Sequence, residues 1–324
     1  MLVGMTVWPA LPYARWKPTG ASLHMWAQIV GKFRLARVPW VNHSWHATLY
    51  VNGRGLTTGL VPGPDADVEV TFDFLDHRLV VQSATGATAG FALEAMSVSR
   101  FHERFLDALA RVGAPTTLHA APNEVPEPVP FRDQTAPGAY DPSAAADFWR
   151  ALVRIEQVFQ RFRTGFLGKV SPVHLFWGSF DLAVTRFSGR PAPPHPGGFP
   201  ALPDTVTREA YSHEVSSAGF WPGGGGVDEA MFYSYAYPVP DGFGAARVEP
   251  AAASFYQPLG EFVLPYDAVR TAADPEAALL AFLTTTYEAA ATLGRWDRAA
   301  LECPVGVPRV PRATLVPGAP AAGA

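Results

Sequence analysis

The chain has 324 residues, of which 48% are hydrophobic and 17% charged, with a formal net charge of −4. This apolar fraction can build a sizeable core and excludes global disorder. There is no run of Lys and Arg that could displace counterions from phosphates, so no nucleic-acid partner is expected. No window approaches the roughly 20 apolar residues of a membrane-spanning helix, so no membrane partner is expected.

The cysteine content favours a reducing compartment. Cys303 is the only cysteine, which excludes a disulfide within the chain and any site that needs several thiolates. Residues 1–18 lack the continuous apolar core of a signal peptide. We therefore expect a cytoplasmic protein.

Apolar residues at spacings of three and four predict four helices. They lie at 22–36, 98–112, 142–165 and 274–294. The third is the clearest, because Asp141 and Pro142 supply an N-cap and a first-turn proline, and Gly165 supplies the exit.

Strict alternation of apolar and polar residues predicts half-buried antiparallel strands, best seen at Val68–Phe74. Further strands are expected at 46–51, 78–82, 90–93, 174–177, 180–185, 214–220, 231–237 and 261–264. The pattern predicts an α+β fold with mainly antiparallel sheet.

The order of elements divides the chain into two similar halves, each with a helix, several strands and a helix. The expected divisions are a first half at 1–113, a Pro-rich connector at 114–142, a second half at 143–302 and a disordered Ala/Pro-rich tail at 303–324. This pattern suggests an internal duplication in which His46 superposes on His174.

Polar residues stand in the apolar strands of the second half: His174, Asp181, Arg186, His213 and Glu214. Buried ionisable groups need partners, so we expect His174 and His213 to meet across neighbouring strands. Three interpretations stay open. They are a structural network, a ligand pocket, and one divalent metal held by His174, His213 and Glu214 or Asp181.

Two further groups are weaker candidates. His43 and His46 form an HxxH pair, but residues three apart in an extended segment face opposite ways, and His46 with His77 is the second candidate cluster. Tyr235 shares a strand face with Tyr233 and Tyr237. We favour a solvent-facing sheet surface for these phenols over a polar-aromatic pocket.

Signatures of known chemistry are absent. The sequence has no GxGxxG after a strand, no GxxxxGK[ST], no GxSxG and no HExxH. No catalytic residue or reaction type is predicted.

Long strings give the chain a family resemblance. They include LHMWAQIVGK, NHSWHATLYVNGRGLTT, SPVHLFWGSFDLAVTRFSGR and EAYSHEVSSAGFWPG. From about Leu11 to about Glu302 the chain resembles a bacterial family catalogued only as a domain of unknown function. The resemblance implies no activity, substrate or cofactor, and it assigns no role to any residue.

Two classes of function are compatible with these observations. The first is a small-molecule-binding protein or enzyme with a His-containing pocket in the second half or between the halves. The second is a non-catalytic interaction protein that uses its aromatic strands as a dimer interface.

Overall fold

The helices are capped and spaced largely as the sequence predicts. The computed structural model describes residues 8–312, and the described helices are α1 Tyr13–Arg37, α2 Val98–Arg111, α3 Pro142–Arg163, α4 Asp204–Ala210, α5 Tyr266–Arg270, α6 Pro275–Leu293 and α7 Arg298–Leu301. The Asp141 carboxylate accepts hydrogen bonds from the backbone N–H groups of Ser143 and Ala144, and Asp274 caps α6 in the same way. The helices predicted at 98–112, 142–165 and 274–294 are therefore confirmed.

Helix α1 begins nine residues earlier than predicted. It contains Pro18, which removes only one backbone donor near the start of the helix. The first turns of α1 pack against α3, since the Trp16 ring stacks on the Phe148 ring with centroids 4.5 Å apart. This contact between distant segments extends the helix beyond the point that local propensity indicates.

The first sheet is an antiparallel meander in the order β1-β2-β3-β4-β5. Its strands are β1 Tyr50–Val51, β2 Gly55–Val61, β3 Val68–Asp73, β4 Arg78–Ser83 and β5 Thr88–Ala92. Val68, Val70 and Phe72 are buried while Glu69 and Thr71 are half-buried, so the predicted alternation is confirmed.

The second sheet has six antiparallel strands in the order β10-β11-β9-β8-β7-β6. Its strands are β6 His174–Phe176, β7 Asp181–Pro191, β8 His213–Trp221, β9 Met231–Tyr237, β10 Ser254–Tyr256 and β11 Glu261–Pro265. The two sheets meet where Leu49 and Leu175 exchange backbone hydrogen bonds. They differ in strand number and order, so the topology does not support the predicted duplication.

The segment before β1 corrects one prediction. A strand was expected at 46–51, but a 3₁₀ helix occupies Asn42–Ala47. His43 and Ser44 have left-handed φ angles of 60° and 58°, which interrupts an extended chain. The Arg34 guanidinium donates to the carbonyl oxygen of His46 at 2.7 Å, so this carbonyl is bonded to a side chain rather than to a neighbouring strand.

One hydrophobic core runs through both halves, from Trp26 on Phe101 in the first half to Phe162 and Tyr287 in the second. The connector packs against this core, and its Phe131 is fully buried. No helix among residues 8–312 is long and apolar enough to cross a membrane. In the predicted tail, Gly306 hydrogen-bonds to Thr164, and residues 313–324 lie outside the described part.

The two faces of the second sheet have different environments. One packs through Leu182, Val184 and Phe220 against the side where α3 and α6 lie. The other is approached by the 3₁₀ helix, α4 and the Pro-rich segments. We call the second one the covered face, and its polar members are Asp181, Thr185, Ser217, Tyr233 and Tyr235.

Candidate functional site

The strand register places a row of hydroxyl groups across the covered face. Thr185 pairs with Ser217, and Ser217 pairs with Tyr235, so all three side chains point the same way. The Thr185 and Ser217 hydroxyl oxygens are 2.8 Å apart. The Tyr235 hydroxyl lies 2.8 Å from that of Tyr211, which follows α4. The sheet therefore presents polar groups to the loops that cover it.

Tyr233 links this row to a buried carboxylate. Its hydroxyl donates to Asp181, which also accepts a hydrogen bond from Ser179. The tyrosine crosses over Gly219 on the neighbouring strand, where any side chain would overlap its phenol ring. Asp181 is 7% exposed, and burial raises the pKa of its carboxyl group although both hydrogen bonds oppose the shift.

Two glutamates complete what we call the acidic tyrosine cluster. Its members are Glu124, Asp181, Tyr211, Tyr233, Tyr235 and Glu261. Glu124 comes from the connector, where its backbone N–H donates to the Pro200 carbonyl at 2.8 Å. Glu261 opens β11 one residue before Phe262, which pairs with Ser234, so the same register sets it beside Tyr235.

The carboxyl groups of this cluster have no positively charged side chain beside them among the described residues. Burial raises the pKa of Glu124 and of Glu261 to about 7, and the charge of Asp181 adds to both shifts. Burial also raises the pKa of Tyr235 to about 12, so the phenol stays protonated and can donate. Among residues 8–312, none of the three carboxylates forms an ion pair.

A second group of polar side chains lies at the other end of the covered face. We call it the lysine–histidine cluster, and its members are His43, Lys169, Glu209 and His213. The Lys169 amine is 2.7 Å from Nε2 of His43. The His43 and His213 ring centroids are 5.9 Å apart, and the Phe187 ring on β7 lies 4.4 Å from His43.

The predicted proximity of His174 and His213 is wrong. His174 pairs with Ala183, and Ala183 pairs with Gly219 on β8. His213 lies six residues before Gly219 on β8, a displacement of roughly 20 Å along the strand at the usual rise of about 3.3 Å per residue, and the rings of His43 and Trp45 lie between the two imidazoles.

His174 is instead isolated in the core. It is fully buried, and neither ring nitrogen has a hydrogen-bond partner among residues 8–312. Burial lowers its pKa to about 3, and the charges of Arg34 and Arg163 contribute. The imidazole therefore stays neutral and behaves as a packing residue among the Trp45, Tyr50 and Phe176 rings.

The other predicted site residues, Arg186 and Glu214, also lie apart from Asp181 and have other partners. Arg186 is on the opposite face from Asp181, with its guanidinium 3.5 Å from the Phe162 ring centroid, and burial lowers its pKa to about 10. Glu214 forms an ion pair with Arg190 at 2.6 Å. The expected metal set is not assembled, since no three His, Cys, Asp or Glu side chains in the described part of the chain could share an ion.

The second candidate cluster does not form either. His46 contacts Trp40 and has Nδ1 3.2 Å from the Val41 backbone, whereas His77 bonds to the Tyr140 hydroxyl at 2.9 Å. His46 and His77 therefore contact different residues. Of all the predicted site residues, the structure brings together Asp181 and Tyr235, through Tyr233.

The solvent-facing interpretation of the tyrosine strand is also corrected. Tyr233, Tyr235 and Tyr237 are half-buried, and their hydroxyls bond to Asp181, Tyr211 and the Pro193 carbonyl. The Pro-rich segment that contains Pro193 covers the sheet surface here. The alternative, a polar-aromatic pocket, stays a prediction.

Sequence reasoning missed several members of both clusters: Glu124, Lys169, Glu209, Tyr211 and Glu261. Glu124 looked like one of many polar residues in a connector. A signal did exist for Lys169, because the chain has only three lysines among its 25 basic Lys and Arg residues.

Comparison with known proteins identifies the family alone. No curated protein and no solved structure matches the chain. The family model described as "Family of unknown function (DUF5996)" matches residues 8–303, so the chain belongs to this family.

Proposed function

We propose that the protein binds a small organic ammonium ion in the acidic tyrosine cluster. One observation carries the proposal. Asp181, Glu124 and Glu261 converge on a face lined by tyrosines, and no cationic side chain of the described residues pairs with them. A ligand cation is the partner that such a site lacks.

The electrostatic argument follows from the cost of burying charge. An ionised carboxylate in a protein interior is unfavourable unless a counter-charge lies nearby, and this is why the pKa values of Glu124 and Glu261 rise to about 7. A cation that enters the cluster favours the ionised form of each glutamate. Binding should therefore displace the protons that otherwise keep these carboxyl groups neutral.

The tyrosines favour an organic cation over a metal ion. The Tyr233 and Tyr235 rings are stacked with centroids 6.0 Å apart, and Tyr211 borders Tyr235. A cation over such rings gains about 0.5–2 kcal/mol per face. Inner-sphere metal ligation needs carboxylate oxygens within about 2.0–2.6 Å of one ion, and no such group of ligands occurs among residues 8–312.

The competing proposal, an interaction protein with an aromatic dimer interface, is less well supported. It needs the tyrosine face of β9 to be open as a flat surface. That face is bonded to the segment after α4 and to the Pro193 loop, so it offers less area to a second chain.

The expected location, the cytoplasm of a bacterial cell, belongs to the same proposal. A single cysteine suits a reducing compartment, and small ammonium compounds are soluble there.

Choline and its uncharged isostere 3,3-dimethyl-1-butanol provide a matched pair of probes. Both have the same shape, but only choline carries the charge. Calorimetric titration at pH 8 should show binding of choline and at least about tenfold weaker binding, or none, of the isostere, a difference of about 1.4 kcal/mol or more. Equal binding of both probes, or no binding of either, would contradict the proposal.

Two variants localise the binding. Asp181→Asn should weaken choline binding at pH 8, because it replaces a carboxyl group that can ionise opposite the cation with a neutral amide of the same shape. Glu214→Gln is the matched control, since Glu214 is half-buried on the same sheet and already paired with Arg190. If both variants lost affinity equally, the acidic tyrosine cluster would not be the site.

A further inference from the structure

Lys169 is unlike the other two lysines of the chain. The Lys17 side chain is 63% exposed on α1. Lys32 is 1% exposed, and its amine lies 2.5 Å from the Asn123 side-chain oxygen and 3.4 Å from Nδ1 of His119, so burial is what separates it from Lys169. Lys169 is half-buried, forms no ion pair with the residues that the structure describes, and has its amine next to an imidazole. It is thus accessible and also next to a base.

The imidazole is held in one orientation. Nδ1 of His43 lies 2.8 Å from the carbonyl oxygen of Ala210, which can only accept a hydrogen bond, so Nδ1 carries the proton. Nε2 of the neutral ring is then an acceptor, and Lys169 donates to it at 2.7 Å. Amine, imidazole and orienting carbonyl form the usual arrangement of an activated nucleophile.

The surroundings favour the uncharged forms of the Lys169 amine and the His43 imidazole, compared with the same groups in water. The Lys169 amine lies 5.2 Å from the Trp45 ring centroid and 5.1 Å from that of Phe187. Burial lowers the pKa of Lys169, against the charge of Glu209, and burial also lowers the pKa of His43. A larger fraction of Lys169 is therefore the free amine at neutral pH than in an exposed lysine.

The backbone at this point is strained and clamped. His43 and Ser44 both have left-handed φ angles, which cost roughly 1–3 kcal/mol each in residues other than glycine. The Glu209 carboxylate accepts a hydrogen bond from the His43 backbone N–H, with oxygen distances of 3.0 and 3.2 Å. Strained residues of this kind cluster at functional sites, and this turn holds the His43 imidazole beside the Lys169 amine.

We infer that Lys169 is a nucleophilic amine that condenses with the carbonyl carbon of an aldehyde, with His43 as the proton acceptor. The nitrogen lone pair forms the new C–N bond as the carbonyl π bond breaks, and Nε2 of His43 passes one proton from nitrogen to the alkoxide to give the carbinolamine. His43 then accepts the second nitrogen proton and delivers it to the hydroxyl, which leaves as water as the C=N bond forms. The products are one imine and one water, and no oxidant or reductant is consumed.

The walls of the cluster indicate the class of aldehyde. Trp45 and Phe187 flank the amine, so an aromatic aldehyde can stack beside the reacting nitrogen. This reaction is independent of the ammonium site. The Lys169 amine contacts His43, Trp45 and Phe187, and none of these belongs to the acidic tyrosine cluster.

Reductive trapping tests the inference in the intact protein. Benzaldehyde and cyanoborohydride at pH 7 convert each imine to a stable benzylamine, and peptide mass spectrometry measures the rate at each of the three lysines. Lys169 should be labelled faster than Lys17, because its amine lies 2.7 Å from Nε2 of His43 and burial lowers its pKa. Lys32 should be labelled most slowly, because its amine is buried and inaccessible to the aldehyde even though burial lowers its pKa to about 8. Labelling of Lys169 at or below the rate of Lys17 overturns the inference.

A variant tests the role of His43. His43→Asn keeps a residue that tolerates left-handed φ but is too short to reach Lys169. With an unchanged melting temperature it should bring the Lys169 rate close to that of Lys17, which serves as the internal reference. An unchanged ratio would overturn the role of His43. If this variant does not fold, the comparison of the three lysines in the wild-type chain still decides.

Discussion

Replacing Glu261 with glutamine should stabilise the protein at alkaline pH. Glu261 is half-buried near Asp181 and forms no ion pair with the residues that the structure describes, and burial raises its pKa from 4.5 to about 7. Between these two values the folded state holds a proton that the unfolded state has lost, so wild-type stability falls as pH rises through this window. Above about pH 7 the penalty is complete, and below about pH 4.5 it is absent.

The magnitude follows from the shift. One pKa unit corresponds to 1.36 kcal/mol, so the full shift sets an upper limit of about 3 kcal/mol. Coupling with Asp181 and partial solvent access reduce this to about 1–2 kcal/mol. Glutamine keeps the shape of the protonated acid, so it should recover this amount at pH 8 and none at pH 4.5. The expected rise in melting temperature is roughly 2–4 °C.

Urea denaturation at both pH values measures the effect as a difference in the free energy of unfolding. Glu229→Gln is the control, because Glu229 is exposed and should show no change at either pH. A Glu261→Gln protein that is less stable than wild type at pH 8 would show that the carboxylate has a stabilising partner, and the reasoning would be refuted.

Two further substitutions test the packing of the covered face and core. Gly219→Ala should destabilise the fold by about 1–3 kcal/mol, because the added methyl displaces Tyr233 from Asp181, whereas Gly53→Ala meets nothing and should be near neutral by urea denaturation. His174→Leu should leave stability at pH 7 unchanged or higher, since neither ring nitrogen has a partner in the part of the chain that the structure describes. The lowered pKa of His174 predicts that wild-type stability falls as pH drops from 6.5 towards 3, and the substitution should remove this fall. If the variant were less stable than wild type at pH 7 by about 2 kcal/mol or more, the imidazole would have a stabilising partner.

Local patterns predicted the elements whose determinants lie close together in sequence. Helix α3 is an example, because Asp141 caps it directly and its apolar residues repeat at helical spacing. The strand β3 was predicted for the same reason, through alternation alone. The segment at His46 failed because its conformation depends on the Arg34 side chain, twelve residues away.

The candidate site was less predictable, because its members come from distant parts of the chain. Glu124 approaches Asp181 only because the connector folds over the second sheet and bonds to Pro200. The sequence did indicate that Asp181 needed a partner, and it grouped Asp181 with Arg186, His174, His213 and Glu214, but alternation places Arg186 on the other face. Tyr233, two strands away, fills that role by crossing Gly219.

The proton balance of ligand binding tests the central claim most directly. Titration of choline at pH 7 in two buffers with different ionisation enthalpies gives the number of protons released. Because the pKa values of Glu124 and Glu261 lie at about 7, each carboxyl group is about half protonated, and binding should release up to about one proton per choline. The affinity should rise between pH 5 and pH 8. Choline binding without proton release, or with equal affinity at both pH values, would contradict the account.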